Sequence, residues 1–150
     1  MQLYATPLSH FSRKVRLLLD HYELAYEMID VGNVANQKAE QFAQNPLMKV
    51  PVLIHQQQWI IDSDHIAHYI VEQFDNTDRY VVNDQDVINL NIRAVLNGLM
   101  SEEVKLVLGK RTGIPTEQYA FFDKACESIQ QGLQWLENHA SHFQTGQPKY

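Results

Sequence analysis

Two short stretches of this sequence combine residue types that can bind a peptide-like or anionic ligand. In NPLMKVPVL at 45–53, Pro51 interrupts a run of apolar residues and removes a backbone N–H donor. Either this proline marks a sheet edge, or the backbone beside it bonds something other than a neighbouring strand. In IIDSDHIAHYI at 60–70, Asp62 and Ser63 precede an apolar repeat of helical spacing. This pair either caps a helix or places an anion at the helix N-terminus, where the backbone amides are free.

The histidines and the single cysteine form weaker patterns. His65 with His68, and His139 with His142, are three residues apart, but neither pair has a third ligand at a metal-site spacing. We therefore expect no metal. Cys126 lies on the apolar stripe of a predicted helix, which favours a buried structural thiol. Since one cysteine forms no internal disulfide, the sequence favours a reducing compartment and a cytoplasmic location.

Composition excludes two classes of partner. The 150 residues carry a formal net charge of −6, which gives no electrostatic footprint for nucleic acid or for an anionic membrane surface. No apolar run approaches the length of a membrane span, and the first residues lack the basic and apolar regions of a signal peptide. With 45% hydrophobic residues, the chain is expected to bury a core.

The hydrophobic pattern of residues 1–75 predicts an α/β domain with a mixed sheet. Strands and helices alternate in the order βαβαββα, and the second helix is predicted over 36–44, ending before Pro46. The last two strands are predicted to form a hairpin with a turn at His55 to Gln58. A parallel pair followed by this hairpin, covered by helices, makes one compact layer.

After this domain the pattern becomes helical. Residues 76–85 are polar and predict a linker, and residues 86–150 carry two apolar stripes of helical period. The segment GKRTGIP at 109–115 separates the stripes, and Thr116 is predicted to cap the second helix.

Three motifs in this order make the chain resemble the cytosolic glutathione transferase superfamily: LYATPLSHFSRKVR at 3–16, NPLMKVPVL at 45–53 and IIDSDHIAHYI at 60–70. The resemblance implies a thioredoxin-like N-terminal domain at 1–75, followed by the first two helices of an all-helical C-terminal domain. Family members usually continue with further helices, so we expect an incomplete C-terminal domain. Either a partner subunit covers it, or the chain is a fragment of a longer product.

The same resemblance implies a glutathione site. In the family this proline follows a cis peptide bond, so that Val50, the residue before Pro51, offers its N–H and C=O to the cysteinyl part of glutathione. Ser63 would bind the γ-glutamyl carboxylate, and Asp62, where glutamate is common, would hold the peptide near its α-amino group. Lys38 is the candidate for the glycine carboxylate, with Lys49 as an alternative.

Ser9 is the catalytic candidate that the resemblance implies. Serine-type members use such a hydroxyl to donate a hydrogen bond to the glutathione sulfur and stabilise its thiolate. A free thiol has a pKa of about 8.5. Lowering that pKa by about two units corresponds to roughly 2.7 kcal/mol of preferential stabilisation of the thiolate. Ser12 is a competing hydroxyl. Tyr4, the alternative for tyrosine-type members, is interpreted as a core residue of the first strand.

The function expected from the resemblance is transfer of the glutathione thiolate to a small electrophile by a homodimeric enzyme. The alternative is a transferase-like protein without this activity that acts as a binding or regulatory module through protein contacts. His10 in place of a frequent proline and the short helical domain favour the alternative. Retention on immobilised glutathione separates the two.

Overall fold

The computed structural model describes residues 1–75 and 86–144. These form two compact units, residues 1–75 in the first and 86–144 in the second. The predicted linker at 76–85 and the last residues of the predicted C-terminal domain, 145–150, lie outside the described residues.

A mixed four-stranded sheet forms the centre of the first unit, as the sequence predicts. Its spatial order is β2-β1-β3-β4, and β1 runs parallel to β2 while β1–β3 and β3–β4 are antiparallel. The strands are β1 (Gln2–Ala5), β2 (Glu27–Asp30), β3 (Val52–His55) and β4 (Gln58–Ile61). Gln56 and Gln57 of the β3–β4 turn both have positive φ, at 49° and 65°, which is the geometry of a type I′ hairpin turn. The predicted hairpin is therefore confirmed.

Two amphipathic helices, α1 (His10–His21) and α2 (Ser63–Phe74), bury their apolar stripes against one face of this sheet. The fully buried side chains of this core include Leu3, Val15, Leu19, Leu53, Ile66 and Ile70. Each such side chain stabilises the fold by about 1.5–3 kcal/mol when it leaves water. Tyr4 alternates with Leu3 and Ala5 along β1 and is only half-buried. The interpretation of Tyr4 as a core residue is therefore wrong, since it points to the opposite face of the sheet.

The predicted helix over 36–44 is replaced by a single 3₁₀ turn, Ala39–Phe42. The next two residues, Ala43 and Gln44, have φ values of 47° and 64°, so the backbone leaves the right-handed helical region before a second turn can form. Phe42 is fully buried, and this segment therefore contributes to packing without being a regular helix.

The second unit contains two long helices that are consecutive in sequence, α3 (Val87–Arg111) and α4 (Ala120–Asn138). They pack against each other. Glycines allow the close approach: a Cβ on Gly132 would lie 2.5 Å from a methyl of Leu99, and one on Gly109 would lie 2.9 Å from the Phe122 ring. A further 3₁₀ segment, Ala140–Gln144, follows α4. Within residues 1–75 and 86–144, no helix has both the length and the apolar character needed to cross a bilayer.

Two predictions for the second unit are wrong. Thr116 begins a short 3₁₀ turn, Thr116–Gln118, and Tyr119 occupies the N-cap position of α4 without a side-chain cap. The Thr116 side chain instead packs near Gly109 and is buried. Cys126 is exposed, because α3 covers only part of the apolar stripe of α4.

Candidate functional site

The strand register brings three of the candidate segments to one end of the sheet. Val52, the first residue of β3, pairs with Tyr4 of β1 on one side and with Ile61 of β4 on the other. The loop after β1 carries Ser9, the residues before β3 are Val50 and Pro51, and the residues after β4 are Asp62 and Ser63. Because β3 runs antiparallel to both neighbours, the end of β1, the start of β3 and the end of β4 coincide.

Ser9 lies at the N-cap of α1, half-buried, with its Oγ accepting a hydrogen bond from the Ser12 N–H at 3.2 Å. Its own hydroxyl proton is not used by this bond and can be donated to a ligand. Ser12, in contrast, is fully buried, and its Oγ has no hydrogen-bond partner within the described residues. Since a ligand cannot reach a fully buried hydroxyl, the geometry favours Ser9 over Ser12.

The peptide bond between Val50 and Pro51 is cis, which confirms the prediction from the motif. Val50 is half-buried and Pro51 is buried. Within the described residues, the backbone N–H and C=O of Val50 make no hydrogen bond to another main-chain group. A backbone donor and acceptor without main-chain partners can pair with an extended peptide, as an added strand does.

Asn45, a residue that the sequence analysis did not select, organises the loop in front of this bond. Its side-chain amide donates to the carbonyl oxygen of Lys49 at 2.8 Å, and its Oδ1 accepts from the Leu47 N–H at 3.0 Å. Asn45 is 5% exposed, so both bonds are largely shielded from water. The Asn-Pro pair at 45–46 was the available signal, since asparagine often bonds the backbone two residues on in turns.

Asp62 caps α2 with one carboxylate oxygen. Its Oδ1 accepts hydrogen bonds from the backbone N–H groups of Asp64 at 2.8 Å and His65 at 3.3 Å, and its carbonyl accepts from Ile66. The first-turn amide that Asp62 does not hold is that of Ser63. Ser63 itself is 4% exposed. Asp62 therefore caps α2, and the backbone amide of Ser63 lies outside this cap, as the amide of a first helical residue that an anion can bind does.

The two candidate lysines are both exposed, and they have different backbone roles. Lys38 is the residue before the 3₁₀ turn, where its N–H donates to the Gln41 side chain at 3.1 Å. Lys49 supplies the carbonyl that Asn45 binds. Neither ammonium group is held by an ion pair within the described residues, so each can reach toward an anion in solvent.

An ion pair between Lys14 and Asp64 connects α1 to the first turn of α2. The two residues are 50 positions apart in sequence, and no local pattern identifies such a pair. It was therefore absent from the sequence analysis. Asp64 directly follows Ser63, and the pair adds a polar contact to the apolar packing between α1 and α2.

The two histidine pairs lie in or next to helical segments and make other contacts. Among residues 1–75 and 86–144, no group of three or more His, Cys, Asp or Glu side chains is placed to hold a metal ion. His68 Nε2 lies 3.1 Å from Glu72 Oε1. His139 Nδ1 lies 2.7 Å from the carbonyl oxygen of Trp135, and the His139 ring stacks on the Trp135 indole. A groove of about 470 Å³ between α3 and α4 belongs to the second unit and contains none of the candidate residues.

Comparisons with solved structures find the same architecture. A glutathione transferase family member from Pseudomonas fluorescens Pf-5, solved with bound glutathione, is 26% identical, with a TM-score of 0.75 over 95% of this chain and 75% of its own. A glutathione S-transferase from Methylobacillus flagellatus, also solved with glutathione, is 24% identical, with a TM-score of 0.71 over 91% of this chain and 68% of its own. No curated protein sequence matches the chain significantly.

The family comparison covers the unit that contains the candidate site. The model of the glutathione S-transferase N-terminal domain matches residues 3–78, about half of the chain. The fold is accordingly the thioredoxin-like domain of that family followed by a helical region, as the sequence motifs implied. Because this model matches half of the chain, the chain belongs to the glutathione S-transferase family.

Proposed function

We propose that this protein binds glutathione at the end of the sheet where the loop after β1, the start of β3 and the end of β4 meet. The observation that carries this proposal is the register of Val52 with Tyr4 and Ile61, which gathers a hydroxyl, an unpaired backbone segment and a helix N-terminus. The neighbour from Pseudomonas fluorescens, solved with bound glutathione at 26% identity, supports the same ligand class.

Each part of the tripeptide has a matching partner in this arrangement. The cysteinyl residue pairs with the N–H and C=O of Val50, and the γ-glutamyl carboxylate binds the amide and hydroxyl of Ser63. Asp62 uses only its Oδ1 as a cap. Its second carboxylate oxygen attracts the α-amino group. Lys38, an exposed cation, attracts the glycine carboxylate, with Lys49 as the alternative.

The proposed reaction is transfer of the glutathione sulfur to an electrophilic carbon, as in detoxification by conjugation. Ser9 donates its hydroxyl proton in a hydrogen bond to the thiolate and so favours the ionised form at neutral pH. The thiolate attacks the carbon, a C–S bond forms, and the leaving group departs with the bonding electron pair. The single cysteine and the reducing conditions that glutathione chemistry needs support a cytoplasmic location.

Calorimetric titration with glutathione, together with a conjugation assay on an activated aryl halide, tests this proposal. Binding with turnover supports the transferase. Binding without turnover, with an intact circular dichroism spectrum, favours the non-catalytic module that the sequence analysis left open. A folded protein that neither binds glutathione in solution nor is retained on immobilised glutathione contradicts the proposal.

We further propose that the protein is a homodimer, as the family resemblance implies. Large apolar side chains stay exposed in the second unit, and among them Phe121 is 61% exposed and Leu133 is 56% exposed. A partner chain that covered these side chains would remove apolar surface from water, which is favourable. This support is independent of the glutathione site.

A further inference from the structure

β4 is one edge of the sheet, and half of its main-chain groups point away from β3. His55 pairs with Gln58 across the two-residue turn, so these two residues exchange both of their backbone hydrogen bonds. Bonded and non-bonded pairs alternate along an antiparallel ladder, and Ile60 is therefore the next residue of β4 that bonds β3. The N–H and C=O groups of Trp59 and Ile61 face outward, and they make no other main-chain hydrogen bond within the described residues.

The two edges of the sheet differ in charge. β2, the opposite edge strand, carries carboxylates at Glu27 and Asp30 among its four residues. β4 has the sequence QWII and carries no ionisable side chain. Charged side chains on an edge strand discourage pairing with another chain, because a second strand would have to oppose or bury them. β4 lacks this protection and presents a neutral strand.

Trp59 places a large apolar side chain on this neutral edge. It is 50% exposed, whereas Ile60 packs on the core that α1 and α2 cover. Because side chains alternate along a strand, Trp59 and Ile61 share the opposite face of the sheet, which is also the face of Tyr4. A strand that paired with β4 would cover part of the indole and remove apolar surface from water, which is favourable.

We propose that β4 of a second copy of this chain pairs antiparallel with β4, which joins the two four-stranded sheets into one of eight strands. The geometry of β4 itself identifies this occupant. A two-fold axis at Ile60 places Trp59 opposite Ile61 of the second copy, and Ile61 opposite the Trp59 of that copy. Each of these pairs exchanges two hydrogen bonds, so every outward N–H and C=O group of both strands finds a partner.

The side chains are compatible with this register. Trp59 and Ile61 of the second copy form an aromatic and β-branched cross-strand pair, a combination that stabilises antiparallel strands. Asp62, the first charged residue after β4, falls opposite Gln58 of the second copy, so that no two like charges face each other. A pairing centred on Trp59 would instead place Ile61 opposite Gln57 of the turn and lose half of the hydrogen bonds.

The strength of the contact follows from its size. One four-residue strand from each copy forms a smaller interface than the total of about 1,600 Å² that a stable complex buries. We therefore expect concentration-dependent association with a Kd of about 0.1–1 mM. This contact is separate from glutathione binding and from the dimer proposed through the second unit. A monomer at micromolar concentration contradicts that dimer, whereas the β4 contact is judged by further association at higher concentration.

Sedimentation equilibrium from about 20 μM to 1 mM measures this association in wild type, Trp59→Lys and Met28→Lys. The average mass of wild type is expected to rise by at least about half over this range. Trp59→Lys removes the indole and adds a charge to the edge, and is expected to weaken the association at least about tenfold. Met28, 36% exposed on β2, provides the matched control with the same change of charge, and Met28→Lys is expected to associate like wild type.

Fluorescence quenching locates the contact. The chain has two tryptophans, Trp59 and Trp135, so Trp135→Phe leaves Trp59 as the single emitter. Acrylamide quenching of Trp59 is expected to fall by about 1.5- to twofold over the same concentration range, because the second strand covers the indole. Quenching of Trp135 in Trp59→Phe is expected to stay constant.

Each remaining outcome contradicts the proposal. A constant wild-type mass up to the highest concentration overturns self-pairing and leaves the edge to an extended segment of a different protein. Equal weakening in Trp59→Lys and Met28→Lys overturns it, because the added charge alone would explain the loss. Association that leaves the quenching of Trp59 unchanged places the contact elsewhere and overturns it as well. If circular dichroism shows that Trp59→Lys does not fold, the quenching of Trp59 in Trp135→Phe decides.

Discussion

The hydroxyl oxygen of Ser9 accepts a hydrogen bond from the backbone N–H of Ser12 at 3.2 Å, and Ser9 thereby caps α1. Because a hydroxyl that accepts still has a proton to donate, capping and thiolate stabilisation do not compete for the same group. The two proposed roles of Ser9 can therefore be followed by separate measurements on one variant.

Ser9→Ala is expected to lower conjugation turnover by about ten- to a hundredfold, in proportion to the loss of a charge-assisted hydrogen bond to the thiolate of about 1.5–3 kcal/mol. It is also expected to lower stability by about 1 kcal/mol through loss of the cap. Turnover and the ultraviolet thiolate absorption of bound glutathione, titrated against pH, measure the first effect. Thermal unfolding measures the second.

Ser12→Ala is the matched control for this experiment. The Ser12 hydroxyl is fully buried without a partner, so its removal is expected to be neutral or to stabilise the fold by up to about 1 kcal/mol. Turnover should stay at the wild-type level. Loss of thiolate absorption in Ser12→Ala, with Ser9→Ala unaffected, would reverse the assignment of the two hydroxyls.

Asn45→Ala is expected to weaken both the fold and glutathione binding. The substitution removes the bonds to Lys49 and Leu47 that shape the loop before Pro51, and two shielded hydrogen bonds are worth about 1–3 kcal/mol. Chemical denaturation and calorimetry measure the two losses. Asn33→Ala is the control, because Asn33 makes a comparable but exposed bond to Ala35. If the two variants behave alike, Asn45 has no special role.

Two substitutions at Asp62 distinguish its cap from its proposed contact with the ligand. Asp62→Asn keeps an oxygen that can accept from the Asp64 and His65 amides and tolerates the observed φ of 75°, so stability should change by less than about 0.5 kcal/mol. Glutathione affinity should fall, because the α-amino group loses a charged partner. Asp62→Ala should lose both affinity and about 1 kcal/mol of stability. Unchanged affinity in Asp62→Asn limits Asp62 to capping.

The proposed homodimer predicts a solution mass of twice the 17.4 kDa of one chain. Light scattering at micromolar concentration measures it. Phe121→Ser, which removes the 61% exposed ring from α4, is expected to shift the mass toward the monomer if that ring contributes to the contact. A monomer mass for wild type across this concentration range contradicts the dimer.

Much of the first unit follows from local sequence rules. Alternation of Leu3 and Ala5 with Tyr4 determines which face of β1 enters the main core, although the position of Tyr4 inside the predicted strand suggested burial. The adjacent polar residues at the β3–β4 turn predict a tight hairpin. The helical spacing of Ile66 and Ile70 predicts α2 and its buried stripe. The cis peptide bond between Val50 and Pro51 was predicted from the family motif and not from hydrophobic periodicity.

Other features depend on interactions that a sequence pattern does not contain. The left-handed φ at Ala43 ends the segment after one 3₁₀ turn, although its composition suits a helix. The Lys14–Asp64 pair joins residues 50 positions apart. Cys126 lies on an apolar stripe, but its exposure depends on how much of that stripe α3 covers. The capping bonds of Asp62 determine which amide remains for an anion, and they depend on side-chain geometry.

The central claim is that glutathione binds at the shared end of β1, β3 and β4, and calorimetric titration of the whole chain tests it most directly. Saturable binding of one glutathione per chain is expected, with cysteinylglycine bound at least about tenfold more weakly because it lacks the γ-glutamyl group that Ser63 and Asp62 would hold. Absence of a binding signal from a folded chain, or equal affinity for the two peptides, would contradict the account.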